Sequence, residues 1–216
     1  MKVDSDSVQV RAWANPSRVV EIATEALQEH ELGNPKDPTY SLRKELREGV
    51  IYSIIITLPD KAEKIAVELP EFAEYVVGRY PELAAKIARR LPEKAAALAK
   101  SAHHSLRLKQ FCDKSVAAHE GSSVSGEQIL LDVVQVVPDS APKIVDEFNS
   151  LATSITKLAP RQARKIVEMT PRVAAEVAAA VPDQALDLAK SFPGLAVAIA
   201  EKVPGSAERI RHHYRV

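Results

Sequence analysis

The sequence predicts an all-α protein, an α-solenoid (superhelix) of tandem eleven-residue, proline-led short helices, in two arrays with a helical insert between them. Three observations carry this. From Val137 to His213 the chain runs in seven unbroken blocks of eleven, with Pro138, Pro160, Pro171, Pro182, Pro193 and Pro204 on one phase and only Asn149 departing from it. The same phase runs from Leu58 to Ser101 through Pro59, Pro70, Pro81 and Pro92. In both arrays alanine stands three residues after the leading position (Ala62 through Ala95, Ala141 through Ala207). A larger aliphatic such as Ile65, Ile87, Ile166 or Ile199 stands three beyond that.

With the proline as position 1 and the residue before it as position 0, apolar side chains recur at 0, 4, 7 and usually 8, one face of a 3.6-residue helix. Proline at the first helical position loses nothing, because that N–H has no intrahelical acceptor. An acid often follows (Asp60, Glu71, Glu82, Glu93, Asp139, Asp183), where the helix dipole favours it. The residue before each proline is pushed out of the α region, so each block predicts a helix of about eight residues, roughly 12 Å long, and a tight turn. Eleven residues is also three turns of one long supercoiled helix. Five interior prolines in the second array would then cost about 15 kcal/mol, more than the net stability of many domains. Short helices it is, and helices this short persist only by stacking on neighbours.

Taken in order, residues 1–46 form an N-terminal segment with capping helices. Residues 1–14 are polar apart from Val8, Val10 and Trp13 and are expected to be loosely ordered. Asn15-Pro16 opens a helix with Val19, Ile22, Ala23, Ala26 and Leu27 on one stripe, ended by Gly33. A second helix is expected from Asp37 or Ser41 through Leu42, Leu46 and Val50. Residues 47–101 are the first array with its lead-in helix. Ile51-Tyr52-Ser53-Ile54-Ile55-Ile56 is strand-like in composition, but Ile51, Ile54, Ile55 and Leu58 hold repeat positions. Leu130, Val133, Val134 and Val137 hold the same ones in the second half, which marks an internal duplication. Residues 102–125 break register as an inter-array helix and loop, and Ser125 with Gln128 has capping-box spacing. Residues 126–216 are the second array with its lead-in helix, closed by the polar, cationic run Arg209 to Arg215, a suitable solenoid cap. The array is expected to be right-handed or gently curved.

With 46% hydrophobic and 5% aromatic residues, the core is made of small aliphatics. Lys+Arg and Asp+Glu both number 29, so no global field draws in nucleic acid or an anionic membrane. A single cysteine, Cys112, excludes an internal disulfide framework and suits a reducing compartment. No signal segment opens the chain and no apolar run approaches membrane-spanning length, which together predict a cytoplasmic location.

Candidate chemistry is sparse. His103, His104, Cys112 and His119 are the clustered metal-ligand types, but their spacing matches no established zinc pattern, and no metal or other cofactor is predicted. No motif supplies a Cys-His nucleophile with its orienting group, so the chain is read as non-enzymatic. Basic clusters at Lys86, Arg89, Arg90 and Lys94, at Arg161, Arg164, Lys165 and Arg172, and in the cationic tail suit a solvated face or, less well, phosphates, since aromatic stacking platforms are few. Position 3 varies between otherwise uniform blocks (Phe72, Leu83, Leu151, Val173, Leu195), which is where a binding groove would be encoded. The alanine-rich runs Ala174 to Ala180 and Leu195 to Ala200 could dock a partner helix or mediate self-association.

The tandem leucine-proline-acid helices resemble in style the cytosolic superhelical domain of bacterial magnesium channels and flagellar switch-protein helical repeats. The resemblance covers the arrays alone and implies a superhelical fold, with no function or site residue. The expectation is therefore a non-catalytic scaffold or adaptor for a protein partner, with Phe72, Leu83, Val173, Leu195, Arg89, Arg90, Arg161, Arg164, Lys165 and Arg172 as candidate contact residues. A nucleic-acid-binding helical repeat, using basic clusters on a concave face, is the alternative.

Overall fold

The computed structural model describes residues 5–28, 36–113 and 125–214, which form fifteen α-helices with no strand among them. Four helices precede or open the first array: α1 (Ser5–Ala14), α2 (Val19–Gln28), α3 (Tyr40–Thr57) and α4 (Ala62–Glu68). α5 (Ala73–Arg79), α6 (Ala84–Arg90) and the long α7 (Ala95–Asp113) complete it. The second half holds α8 (Gly126–Val136), α9 (Ala141–Glu147), α10 (Ala152–Leu158), α11 (Ala163–Met169) and α12 (Ala174–Ala180). It ends with α13 (Ala185–Ser191), α14 (Ala196–Lys202) and α15 (Pro204–Tyr214).

Each regular block is a three-residue 3-10 turn led by the proline, followed by a seven-residue α-helix that starts on the position-4 alanine. Position 0 makes the break. Its φ lies between −134° and −121° and its ψ between 61° and 78°, outside the helical basin, as a residue before proline requires. The break is nearly free of hydrogen-bond cost. The position-0 N–H still reaches the position-7 carbonyl, as from Leu69 to Ile65 at 2.8 Å, and the position-0 carbonyl accepts from position 3, as from Phe72 at 3.0 Å. The proline that follows has no N–H to satisfy. Phe148 adopts φ −121° and ψ 63° although Asn149, not proline, comes next, so the packed register imposes the turn even where the ring is missing.

Packing decides how the blocks meet. For most helices the broad faces lie two blocks apart: α5 on α7, α6 on α8, α9 on α11, α10 on α12, α12 on α14. The solenoid therefore has two rows, even-numbered helices in one and odd-numbered helices in the other, with positions 4, 7 and 8 buried between them. Side chains tie each coil to the one before. Lys94 Nζ donates to the Pro70 carbonyl at 2.8 Å, Tyr80 Oη to that of Ile55 at 3.0 Å, and Tyr214 Oη to that of Ala189 at 2.7 Å. Across the insert the pattern continues, since α8 packs on both α6 and α7, and α9 on α7.

Three expectations are corrected. Residues 5–14 are helical, with Val8 and Ala12 buried where α1 lies along α3; two small side chains at i and i+4 are too faint a stripe to stand out in a polar segment. The helix expected near Asp37 or Ser41 and the first lead-in helix are one continuous helix, α3, whose Leu42 and Leu46 are exposed. Position 3 is an inter-coil position rather than a free surface. Phe72, Leu151 and Val173 are buried there, and Leu83 and Leu195 are half-buried against the core. The Gly33 helix end and residues 114–124 of the inter-array segment lie outside the described residues.

One core position is chemically mismatched. Thr156 holds position 8 of α10, fully buried, and its hydroxyl has no hydrogen-bond partner, while the adjoining blocks place Val145 and Val167 there. An unsatisfied buried hydroxyl costs about 1–3 kcal/mol. Thr156→Val keeps the shape and is expected to stabilise the fold by about 1 kcal/mol, read as a higher midpoint in urea with an unchanged slope.

Candidate functional site

The odd row is uneven at its middle. α7 continues to Asp113, well past the seven residues of a regular block, whereas its row neighbour α9 stops at Glu147. The surplus of α7 overhangs the end of α9. Under it lies a concavity of about 520 Å³ bordered by Lys100, His104, Arg107, Leu108, Glu147 and Phe148. A second concavity of about 650 Å³ adjoins it along the same row, sharing Lys100, His104 and Glu147 and extending past Glu74, Glu93 and Asp146 to Met169 on α11. Together they make one groove running across α5, α7, α9 and α11.

Helical spacing builds its long wall. Lys100, His103, His104 and Arg107 stand at i, i+3, i+4 and i+7 on α7, one stripe of a helix. Lys100 Nζ pairs with Glu147 at 3.0 Å across to α9. Among the described residues the Arg107, Glu74 and Glu93 side chains make no ion pair or hydrogen bond. Asp146 accepts from Thr170 Oγ1 at 3.1 Å. Exposed Leu108 and Met169 give the groove apolar footholds.

His103 turns inward from that stripe. Its ring meets Phe148 edge-on, with centroids 4.7 Å apart and planes at 65°. On its other side it lies against Gly126 at the start of α8, so closely that a Cβ there would come within 2.7 Å of His103 Cδ2. Ser125 caps α8 by accepting from the Gln128 N–H at 3.1 Å, while the Gln128 side chain bonds Asp132 instead of returning to the cap. Gly126→Ala is expected to destabilise by about 1 kcal/mol. Overpacking against the imidazole outweighs the better helix propensity of alanine. His103→Ala should abolish that penalty in a double-mutant cycle, and a purely additive cycle would sink this packing account.

Burial first, then the Arg107 charge, holds the His103 pKa below the usual histidine value, against an opposing pull from Glu127. For a base whose folded pKa is depressed, the unfolded chain takes up its proton first as pH falls. Stability is thus complete above the ordinary histidine pKa and declines between that value and the lower folded one. The melting temperature is expected to drop more between pH 7 and pH 5.5 in the native chain than in His103→Gln.

The remaining predicted contact residues do not converge. Arg89 and Arg90 sit with Lys86 on α6 in the even row, whereas Arg164 and Lys165 sit on α11 in the odd row, and Arg161 precedes it. Arg172 is turned to the adjacent coil, donating to the Asp146 carbonyl at 3.4 Å. With the Asn149 amide oriented to satisfy both its ends, Arg172 also reaches that side chain at 2.7 Å. Lys94 is taken up by the Pro70 carbonyl. Among the described residues no three His, Cys, Asp or Glu side chains lie close enough to hold a metal ion. The Cys112 side chain and His119 fall outside them. No described helix is long and apolar enough to cross a membrane. Sequence reasoning did not single out the α7 stripe, although its i, i+3, i+4, i+7 spacing is a signal that could have found it. Its groove left no such signal, because that depends on where α9 stops beside it.

No protein-family model, curated protein or solved structure matches this chain.

Proposed function

We propose that the protein is a non-catalytic helical-repeat scaffold that seats a segment of a protein partner in the groove along its odd row. The observation that supports this is the shape and length of the groove. Two adjoining concavities cross successive coils of a repeat array, and a long, shallow seat with charged walls and scattered apolar footholds suits a peptide segment. The nucleic-acid alternative is less well served, since the α6 and α11 clusters belong to different rows. The lone cysteine suits a reducing compartment, and the cytoplasm is the location proposed.

A photo-crosslinking residue placed at Leu108, in the groove, and separately at Ser154, exposed on the even row, tests the proposal in source-cell extract. One protein crosslinked from Leu108, absent from Ser154 and displaced by excess unlabelled protein, is the expected outcome. Recovery of nuclease-sensitive, salt-labile material, or equal labelling from both positions, would overturn it.

A further inference from the structure

Charge along the groove is sorted. At the α7 overhang stands Arg107 with His104, and no described acid pairs with Arg107. At the opposite end stand Glu74 and Glu93, likewise unpaired among the described residues, with Asp146 beside them; Lys143 lines the same concavity, and Arg172 is engaged with the Asp146 carbonyl. Between the two ends Lys100 and Glu147 neutralise each other at 3.0 Å. The groove is thus basic at one end, neutral in the middle and acidic at the other.

We propose that this groove binds a peptide segment of bipolar charge, its acidic part against Arg107 and His104 and its basic part against Glu74, Glu93 and Asp146. The inference rests on the scaffold function above and specifies its ligand. Two lengths agree with it. Glu93 and Arg107 are fourteen positions apart along one helix and its leading turn, so the charged ends are separated by roughly 20 Å at 1.5 Å per residue. An extended peptide covers that span with about six residues at 3.3 Å each. The apolar lining, Leu108 and Phe148 near the basic end and Met169 near the acidic one, gives aliphatic or aromatic side chains of the segment surface to rest on. Opposed charges at the two ends also set the direction in which a segment lies, because reversal places like charges together.

The test uses the full chain and fluorescein-labelled heptapeptides of one composition: three glutamates, a phenylalanine and three lysines in blocks, the reverse order, and an alternating arrangement. Fluorescence anisotropy at low salt should show one block peptide binding at least tenfold more tightly than the alternating one, with affinity falling as salt rises. Arg107→Glu should weaken the block peptide at least tenfold, and a peptide whose glutamates are replaced by lysine should regain binding to that variant. Glu93→Lys, at the other end, is the second variant should the first unfold, each checked by its melting curve. Equal binding of block and alternating peptides, no binding of any, or indifference to both charge reversals would overturn the proposal. Crosslinking from Leu108 that persists in that case leaves the scaffold function standing and removes only the bipolar ligand. Loss of both removes the groove as a seat.

Discussion

Ile166→Ala is expected to lower the unfolding free energy by about 2–5 kcal/mol, the largest effect of any single substitution considered for this protein. Ile166 fills position 7 of α11 with no exposed surface, and α11 is held between α9, its row neighbour, and α12, its chain neighbour. A seven-residue helix has no stability of its own to fall back on. Its side chain at position 7 is what binds it to the coils around it, so truncation leaves a cavity that the neighbouring turns, pinned by their own prolines, can collapse into only in part. Urea denaturation followed by circular dichroism should show a lower midpoint. Because repeat arrays are stabilised by nearest-neighbour contacts, a broadened transition, with the flanking blocks melting first, is the accompanying sign. A midpoint unmoved by the substitution would mean that position 7 does not face the core.

Ala174→Leu should cost about 1–3 kcal/mol by the opposite fault. Ala174 begins α12, is buried, and lies where α12 meets α11 along the chain and α10 and α14 along its row. The same position is alanine in each proline-led block of both arrays, and all of these alanines are buried. A one-carbon side chain lets the turn of one block approach the next, and three further carbons there must displace a neighbouring helix. Ala179, exposed on the same helix, is the control. Both sites exchange alanine for leucine inside one helix, so propensity changes equally and only packing differs. Equal melting temperatures for Ala174→Leu and Ala179→Leu would show that the alanines serve helix formation and not close approach.

Much of the local structure was legible because it is local. Proline at position 1 and the excluded α conformation of the residue before it are steric facts of two neighbouring residues, and they place each helix break where the structure has it. The Ile-rich stretch 51–57 is helical, as its register requires in spite of its strand-like composition, since packing on repeated neighbours outweighs propensity. Position 3 shows where such arguments stop. Its variation looks like a recognition surface when blocks are compared one beneath another. In space that position meets the block two before it: Gln162 donates to Asp139 at 2.6 Å and Gln184 to the Pro160 carbonyl at 3.3 Å, while Phe72 and Val173 fill the same gap with apolar surface. These position-3 side chains are taken up by contact with the preceding coil.

From the sequence alone follow the all-α class, the eleven-residue period, the turn at each position 0 and the stripe each helix must bury, because each depends on residues within one block. Which helix covers which stripe belongs to the tertiary structure. The two-row stacking, the inter-coil role of position 3 and the groove beneath the overhang of α7 all arise between residues more than twenty positions apart. They depend on how the turns add up in space, and on one helix running longer than the neighbour beside it.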